Sequence, residues 1–198
     1  MWTLLTPVIA AYLLGSVSSA ILVCRALGLS DPRSGGSGNP GATNVLRLHG
    51  KFPAAITLAG DVLKGLLPVG AVALLGGAPV VLAATAVAAV LGHLYPVFFG
   101  FRGGKGVATY IGVLFGMHWP LGLAHVGTWL LVSRISGYSS LAALAAAPAP
   151  FIASLLLAEP LPVRIACGIL GLLVLVRHRS NIERLLSGSE GRIGDTQG

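Results

Sequence analysis

Charge is what this sequence lacks most. Only 10% of its 198 residues are Asp, Glu, Lys or Arg, where soluble domains carry roughly a quarter. A chain this poor in charge cannot cover an ordinary water-exposed surface. Cysteine is also scarce. Cys24 and Cys167 each lie in or beside an apolar run, so there is no disulfide framework and no Cys/His metal spacing, and both read as small packing residues. No basic residue stands in the opening Met1-Trp2-Thr3-Leu4, and the apolar run from Thr3 to Leu27 outlasts the short core of a secretory leader. We therefore expect a retained span rather than a cleaved signal. The net charge of +7 raises nucleic acid as a partner. The basic residues lie between long apolar runs, however, and form no soluble basic domain, so no nucleic acid is expected.

Apolar residues are abundant, at 55%, and there are 28 glycines. That composition suits helices packed in lipid, where small residues let backbones approach closely. About 20 apolar residues cross the hydrocarbon core as a helix. Candidate spans run Thr3–Leu27, Phe52–Leu75, Pro79–Phe98, Val107–Met117, Pro120–Val132, Ser139–Leu157 and Leu161–Val176. The fourth and fifth are short, and they are either one helix broken at Met117-His118-Trp119-Pro120 or two helices with a turn there. Proline and an interfacial tryptophan favour the turn.

Lysine and arginine counting supports the same choice. With seven spans, eleven of the thirteen basic residues fall on one side; the exceptions are Lys64, within a span, and Arg164. The positive-inside rule then places the N-terminus outside and the C-terminus in the cytoplasm. The expected fold class is thus an all-α polytopic membrane protein with seven transmembrane helices, some short. Residues 1–187 read as one membrane domain and 188–198 as a polar, frayed tail, in a chain we expect to be a monomer.

Three polar segments share the cytoplasmic side. The first, Ser34 to Asn44 with Arg47 beyond it, interleaves glycines with Ser37, Asn39, Thr43 and Asn44. Glycine turns can expose successive N–H groups to an anion, and the arginine adds a fork suited to phosphate. The plainer reading is a surface loop with a helix cap at Asn39 or Thr43. The second places Gly103-Gly104-Lys105-Gly106 just before a helix, after His93. Free N–H groups at a helix start favour anions. It is not a Walker motif, and it also reads as an ordinary basic loop, with His93 a hydrogen-bonded residue of the bundle. The third holds His178 and Asn181 at a spacing that shares one helix face. A stop-transfer cluster whose Arg179 and Arg184 snorkel to headgroups explains the same segment. Asp61 and Lys64, inside the second span, read as a structural ion pair. Ser139 and Ser140 either cap the next helix or reach a ligand.

Together the segments Ser37-Gly38-Asn39-Pro40-Gly41-Ala42-Thr43-Asn44, Gly92-His93 with Gly103 to Thr109, Gly137-Tyr138-Ser139-Ser140-Leu141 and Asn181-Ile182-x-Arg184-Leu185 resemble the bacterial membrane glycerol-3-phosphate acyltransferases that use acyl phosphate as donor. The resemblance spans nearly the whole chain. It implies an enzyme of the bacterial inner membrane with its active site facing the cytoplasm. Its reaction would transfer a fatty acyl group from acyl phosphate to the first hydroxyl of glycerol 3-phosphate, giving lysophosphatidic acid for phospholipid synthesis. It further implies Lys105, His178 and Asn181 as catalytic residues. Ser37, Asn39, Thr43, Asn44, Arg47, Gly103, Gly104 and Ser140 would bind substrate. Partners would be the two substrates and membrane lipids.

Two phosphates require two anion-binding patches, and an acyl chain requires a groove open to lipid. An anhydride donor has a good leaving group and demands no covalent intermediate. The sequence has no His-x4-Asp pair of the kind other lipid acyltransferases use, so either a substrate phosphate or His178 would take the hydroxyl proton. No cofactor or metal is expected. The alternative from another class is a transporter or channel for an organic phosphate, using Asp61 and Lys64.

The topology is testable by labelling in a background lacking Cys24 and Cys167. Single cysteines at Ser37 and Trp119 should react from opposite sides of sealed membranes, and reaction from the same side overturns the assignment.

Overall fold

The computed structural model describes residues 2–193. Among them every regular element is helical: α1 Trp2–Gly15, α2 Ser19–Ala26, α3 Ala42–His49, α4 Lys51–Leu74, α5 Pro79–Leu94, α6 Val107–Met117, α7 Trp119–Ser136, α8 Ser139–Ala146, α9 Ala149–Leu156, α10 Leu161–Arg177 and α11 Arg179–Leu186. Three helices are long and apolar enough to cross a membrane: Lys51–Leu74, Pro79–Phe99 and Ser139–Leu156. The number reaches five if each of two bent pairs counts as one span. The apolar α6 has only 11 residues, a rise of about 16 Å, which is roughly half a bilayer core.

The expected first span is broken. Its two halves bend by 45° around residues 16–18. A break in a membrane helix frees carbonyls that no water can satisfy. Here the Lys64 ammonium, from α4, donates to the Val17 carbonyl at 2.8 Å, and the same nitrogen lies 2.8 Å from Asp61 Oδ1. The ion pair expected from the sequence is present, and it has a structural purpose that spacing alone does not reveal: it closes the break in a neighbouring helix. At His118 the chain makes the expected turn, with α6 ending at Met117 and α7 starting at Trp119.

Close helix crossings explain the glycines. A Cβ on Gly112 of α6 would stand 2.0 Å from the Val62 carbonyl oxygen of α4, and one on Gly92 of α5 would stand 2.2 Å from the Tyr12 carbonyl oxygen of α1. The core between these crossings holds Val69, Val90, Leu94, Tyr110, Leu114, Leu121, Leu170 and Val174. A smaller cluster of Ala20, Cys24, Val45 and Ala54 fastens the surface helix α3 to α2 and α4. Both cysteines are free and buried, as small packing residues are. Large apolar side chains elsewhere, among them Ile9, Leu67, Leu130 and Leu172, are exposed on the helix exteriors, as contact with lipid requires.

Gly112→Val should destabilise the purified protein by at least about 1–3 kcal/mol, the usual cost of overpacking. Gly127→Ala, which meets nothing within 4 Å, should leave the unfolding midpoint unchanged or slightly raised. Equal midpoints for the two variants in detergent would show that the α4–α6 crossing is not close packed.

Candidate active site

The three polar segments converge at one end of the bundle. The first loop is shaped by Asn44, which is 1% exposed. Its Nδ2 donates to the Pro32 carbonyl at 2.7 Å and the Gly35 carbonyl at 3.2 Å, and its Oδ1 accepts the Ser37 N–H at 2.9 Å. These bonds turn the amide inward, so Asn44 holds the loop's shape. Gly36, at φ +57, lies so close that an added Cβ would be 2.4 Å from Asn44 Oδ1. The resulting turn carries Ser37 on its exposed crest. Thr43 begins near the start of α3, with its hydroxyl 3.4 Å from that of Ser139.

The second loop runs from the end of α5 to the start of α6. The Gly104 N–H donates to the His93 carbonyl at 3.2 Å. The Gly103 and Gly104 carbonyls accept from the Arg177 guanidinium at 3.1–3.2 Å, which also sits 5.5 Å from the Tyr95 ring centre. Arg177 thus gathers the loop's carbonyls on one side. The Lys105 ammonium donates to Asn181 Oδ1 at 2.6 Å.

The third segment owes its geometry to a 55° bend between α10 and α11. His178 sits at the bend, 3% exposed, with Nδ1 2.8 Å from the Val174 carbonyl. A carbonyl only accepts, so Nδ1 carries the proton and Nε2 keeps its lone pair. Burial, first of all, lowers the His178 pKa to about 4, so the ring is neutral at pH 7. Asn181 Nδ2 donates to Glu190 at 2.7 Å, and Arg184 Nε donates to the other oxygen of the same carboxylate at 2.7 Å. Burial raises the Glu190 pKa, but the nearby Ser140 hydroxyl and the hydrogen bonds from Asn181 and Arg184 outweigh it and lower it from the ordinary carboxylate value. The chain after α11 is docked rather than frayed as far as Ile193, whose N–H donates to the Gly137 carbonyl at 2.9 Å. Arg192 lies over the Tyr138 ring at 5.3 Å. The rest of the expected tail, 194–198, lies outside the described residues.

A cavity of about 280 Å³ opens between these segments, lined by Ser37, Asn39, Gly103, Lys105, Arg177 and Arg184 among others. Arg47, on α3, and Ser140, at the start of α8, flank it through their neighbours: Arg47 acts on the charge of Lys105, and Ser140 lies against Glu190. Burial first, then the charges of Arg184, Arg177 and Arg47, partly offset by Glu190, lower the Lys105 pKa to about 8. Sequence reading missed Arg177, Arg184 and Glu190. Arg184 follows Asn181 by three residues on α11, which puts the two on one face, but the same spacing suits an arginine that snorkels to headgroups. Glu190 follows the helix end and carries no local signal. Among the described residues no group of three or more His, Cys, Asp or Glu could hold a metal ion. The arrangement can hold anions, and it offers one neutral imidazole lone pair.

Inorganic phosphate binding, measured by calorimetry, should weaken as pH rises through about 8, because the free protein's Lys105 loses its proton there. In Lys105→Arg the fall should shift to higher pH. An affinity flat from pH 7 to 9 in the unsubstituted protein would show that Lys105 does not contact the anion.

The family model described as glycerol-3-phosphate acyltransferase matches residues 5–188. A protein of that name from Francisella tularensis subsp. mediasiatica is 54% identical over 189 residues, which is 94% of this chain and 91% of that one. Another from Hydrogenovibrio crunogenus is 54% identical over 190 residues, 96% of this chain and 91% of that one. The crystal structure of PlsY (YgiH), an integral membrane glycerol 3-phosphate acyltransferase, in its glycerol 3-phosphate form superposes with a TM-score of 0.92 at 41% identity, over 97% of this chain and 96% of that one. Its lysophosphatidic acid form superposes with a TM-score of 0.90 at 40% identity, over the same shares.

Proposed function

Since the chain belongs to the glycerol-3-phosphate acyltransferase family, we propose that it takes its acyl group from an acyl phosphate and passes it to the 1-hydroxyl of glycerol 3-phosphate in the cavity beside Lys105. The transfer of an acyl group to glycerol 3-phosphate, yielding lysophosphatidic acid for phospholipid synthesis, comes with the family. The donor and the residue roles are our reading. The observation that carries them is the clustering of Lys105, Arg47, Arg177 and Arg184 around one small cavity, with Glu190 as the counter-charge named among the leading influences on Lys105. Such a surplus of fixed positive charge fits two phosphate-bearing substrates better than one.

In this reading the Gly103–Gly106 loop and Lys105 hold the donor phosphate, while Ser37, Asn39, Thr43 and Arg47 hold the acceptor, with Ser140 between the two. Gly103 and Gly104 let the phosphate approach the backbone. Asn44 serves by shaping the loop that carries Ser37. The acceptor hydroxyl attacks the acyl carbonyl, the tetrahedral oxyanion is stabilised by Lys105 or by N–H groups of its loop, and collapse expels inorganic phosphate. The hydroxyl proton passes to a phosphate oxygen of a substrate, and His178 and Asn181 orient the acceptor. Lys105 supports this through its bond to the Asn181 amide. No cofactor takes part.

The same reading retains seven spans, with α6 and α7 each crossing as short or tilted helices, the N-terminus outside, and the site at the cytoplasmic face of a bacterial inner membrane. The positive-inside distribution supports it. The chain would act as a monomer. The transporter alternative loses ground because the polar residues gather at one end of the bundle and Lys64 is engaged in closing a helix break.

The decisive assay supplies purified protein and glycerol 3-phosphate with acyl phosphate, acyl-CoA or acyl carrier protein as donor. Acyl phosphate alone should support turnover. A thioester has no phosphate beside its reacting carbonyl, so equal rates with acyl-CoA would overturn the donor assignment while leaving the acyltransferase activity intact.

A further inference from the structure

Behind the Gly103–Gly106 loop lies a chain of buried polar groups that no step above uses. Asp61, 2% exposed, faces Lys64 at 2.8 Å and His93 Nδ1 at 3.7 Å. His93 is 6% exposed and its Nδ1 shares a hydrogen bond with the Thr109 hydroxyl at 3.1 Å. Nδ1 is tied to α6 through Thr109, while Asp61 of α4 faces it from beyond hydrogen-bonding distance. Its other edge then meets the loop. A Cβ placed on Gly104 would lie 2.3 Å from His93 Nε2, 3.1 Å from Cε1 and 3.3 Å from Cδ2, and these ring atoms are its three nearest neighbours. The carbonyl of the same residue accepts the Gly104 N–H at 3.2 Å and would stand 2.0 Å from a Cβ on Gly103. Ring and backbone of one residue therefore bear on both glycines.

We propose that His93 is a positioning residue: its imidazole, oriented by its bond to Thr109, is the wall against which Gly104 seats and so sets where the loop meets substrate phosphate. The inference rests on the reading that this loop binds phosphate. A purely structural histidine would fill space and stabilise the fold, with no effect on substrate affinity apart from that stability.

The two ring nitrogens can be separated by substitution. His93→Asn keeps a polar atom near the Nδ1 place and removes the wall, whereas His93→Gln returns a polar atom near the Nε2 place. In purified protein, His93→Asn should raise the KM for at least one phosphate substrate about tenfold with kcat within about threefold, at an unfolding midpoint near that of the unsubstituted protein. His93→Gln should recover most of that loss. Gly104→Ala should be at least about threefold less damaging in a His93→Ala background than alone, since coupling of that size marks residues in direct contact. Unchanged KM values in His93→Asn, or a Gly104→Ala effect equal in both backgrounds, overturn the inference. If His93→Asn does not fold, the comparison of Gly104→Ala in the His93→Gln and His93→Ala backgrounds decides in the same way, with the larger cost expected in Gln. Lys105→Ala separates the underlying reading. Unchanged KM for both substrates in that variant sinks the phosphate loop itself, whereas a raised KM beside normal values in His93→Asn sinks only the positioning role.

Discussion

The 2.6 Å bond from the Lys105 ammonium to the Asn181 amide joins two segments 76 residues apart, and the site is organised around it. An amide offers one acceptor and two donors on opposite sides. Asn181 turns its oxygen to Lys105 and its nitrogen to Glu190, so a cation and an anion are held apart by a neutral group. Glu190 then engages Arg184. Without the amide, the ammonium and the carboxylate would be free to pair directly, and the lysine would be withdrawn from any incoming phosphate. Arg177 adds a second tie, from the α10–α11 junction to the Gly103 and Gly104 carbonyls. Each link joins a helix end to a loop, so the site is a property of how the bundle closes rather than of any single segment.

Lipid imposes the complementary constraint. Backbone breaks within a membrane are tolerated only where protein groups satisfy the freed carbonyls and amides. The break between α1 and α2 meets this through Lys64. The bend at His178 meets it locally, since the His178 N–H reaches the Val174 and Leu175 carbonyls and its ring bonds Val174 as well. Such breaks are costly, yet they let helix ends and short surface helices lie across the bundle mouth where straight spans would pass it by. Buried Asp61 and Lys64 are thus part of the same solution as the helix ends at the bundle mouth.

The membrane character, the turn at His118, the Asp61–Lys64 pair and the glycine–lysine loop were legible in the sequence because each has a local signature: hydrophobic length, proline, i to i+3 spacing, or clustered glycine. The roles of Arg177, Arg184 and Glu190 were not. Basic residues after a span look alike whether they snorkel to headgroups or face a cavity, and only the 55° bend at His178 turns this cluster inward. Glu190 lies nine residues from its partner Asn181, beyond a helix end, where no periodicity reaches. Asn44 illustrates a different limit. Its polar character suits a ligand contact and a loop staple equally, and burial alone distinguishes them. The same holds for the surface helix α3, whose eight residues were read as loop because no long apolar run marks them.

The charge pattern explains why a site without an acid–base pair can still suit this chemistry. Arg47, Arg177 and Arg184 all act on Lys105, and Glu190 partly offsets them. Holding like charges together at a half-dry interface is unfavourable, and after burial, the larger cause, it contributes to the lowered Lys105 pKa. A phosphate dianion bound there, as proposed, would relieve that repulsion, so part of its affinity would come from the strain of the empty site. Glu190 already occupies one arm of this cluster through Arg184 and Asn181, which limits the strain and leaves the Lys105 ammonium bonded to a neutral amide rather than to a carboxylate. In the proposed reaction an anhydride donor would then need little more than to be held. Its leaving phosphate would depart into a cationic field, and the attacking hydroxyl would give its proton to a phosphate oxygen. The electrostatics of holding the substrates and the chemistry of parting them are in this way the same interaction.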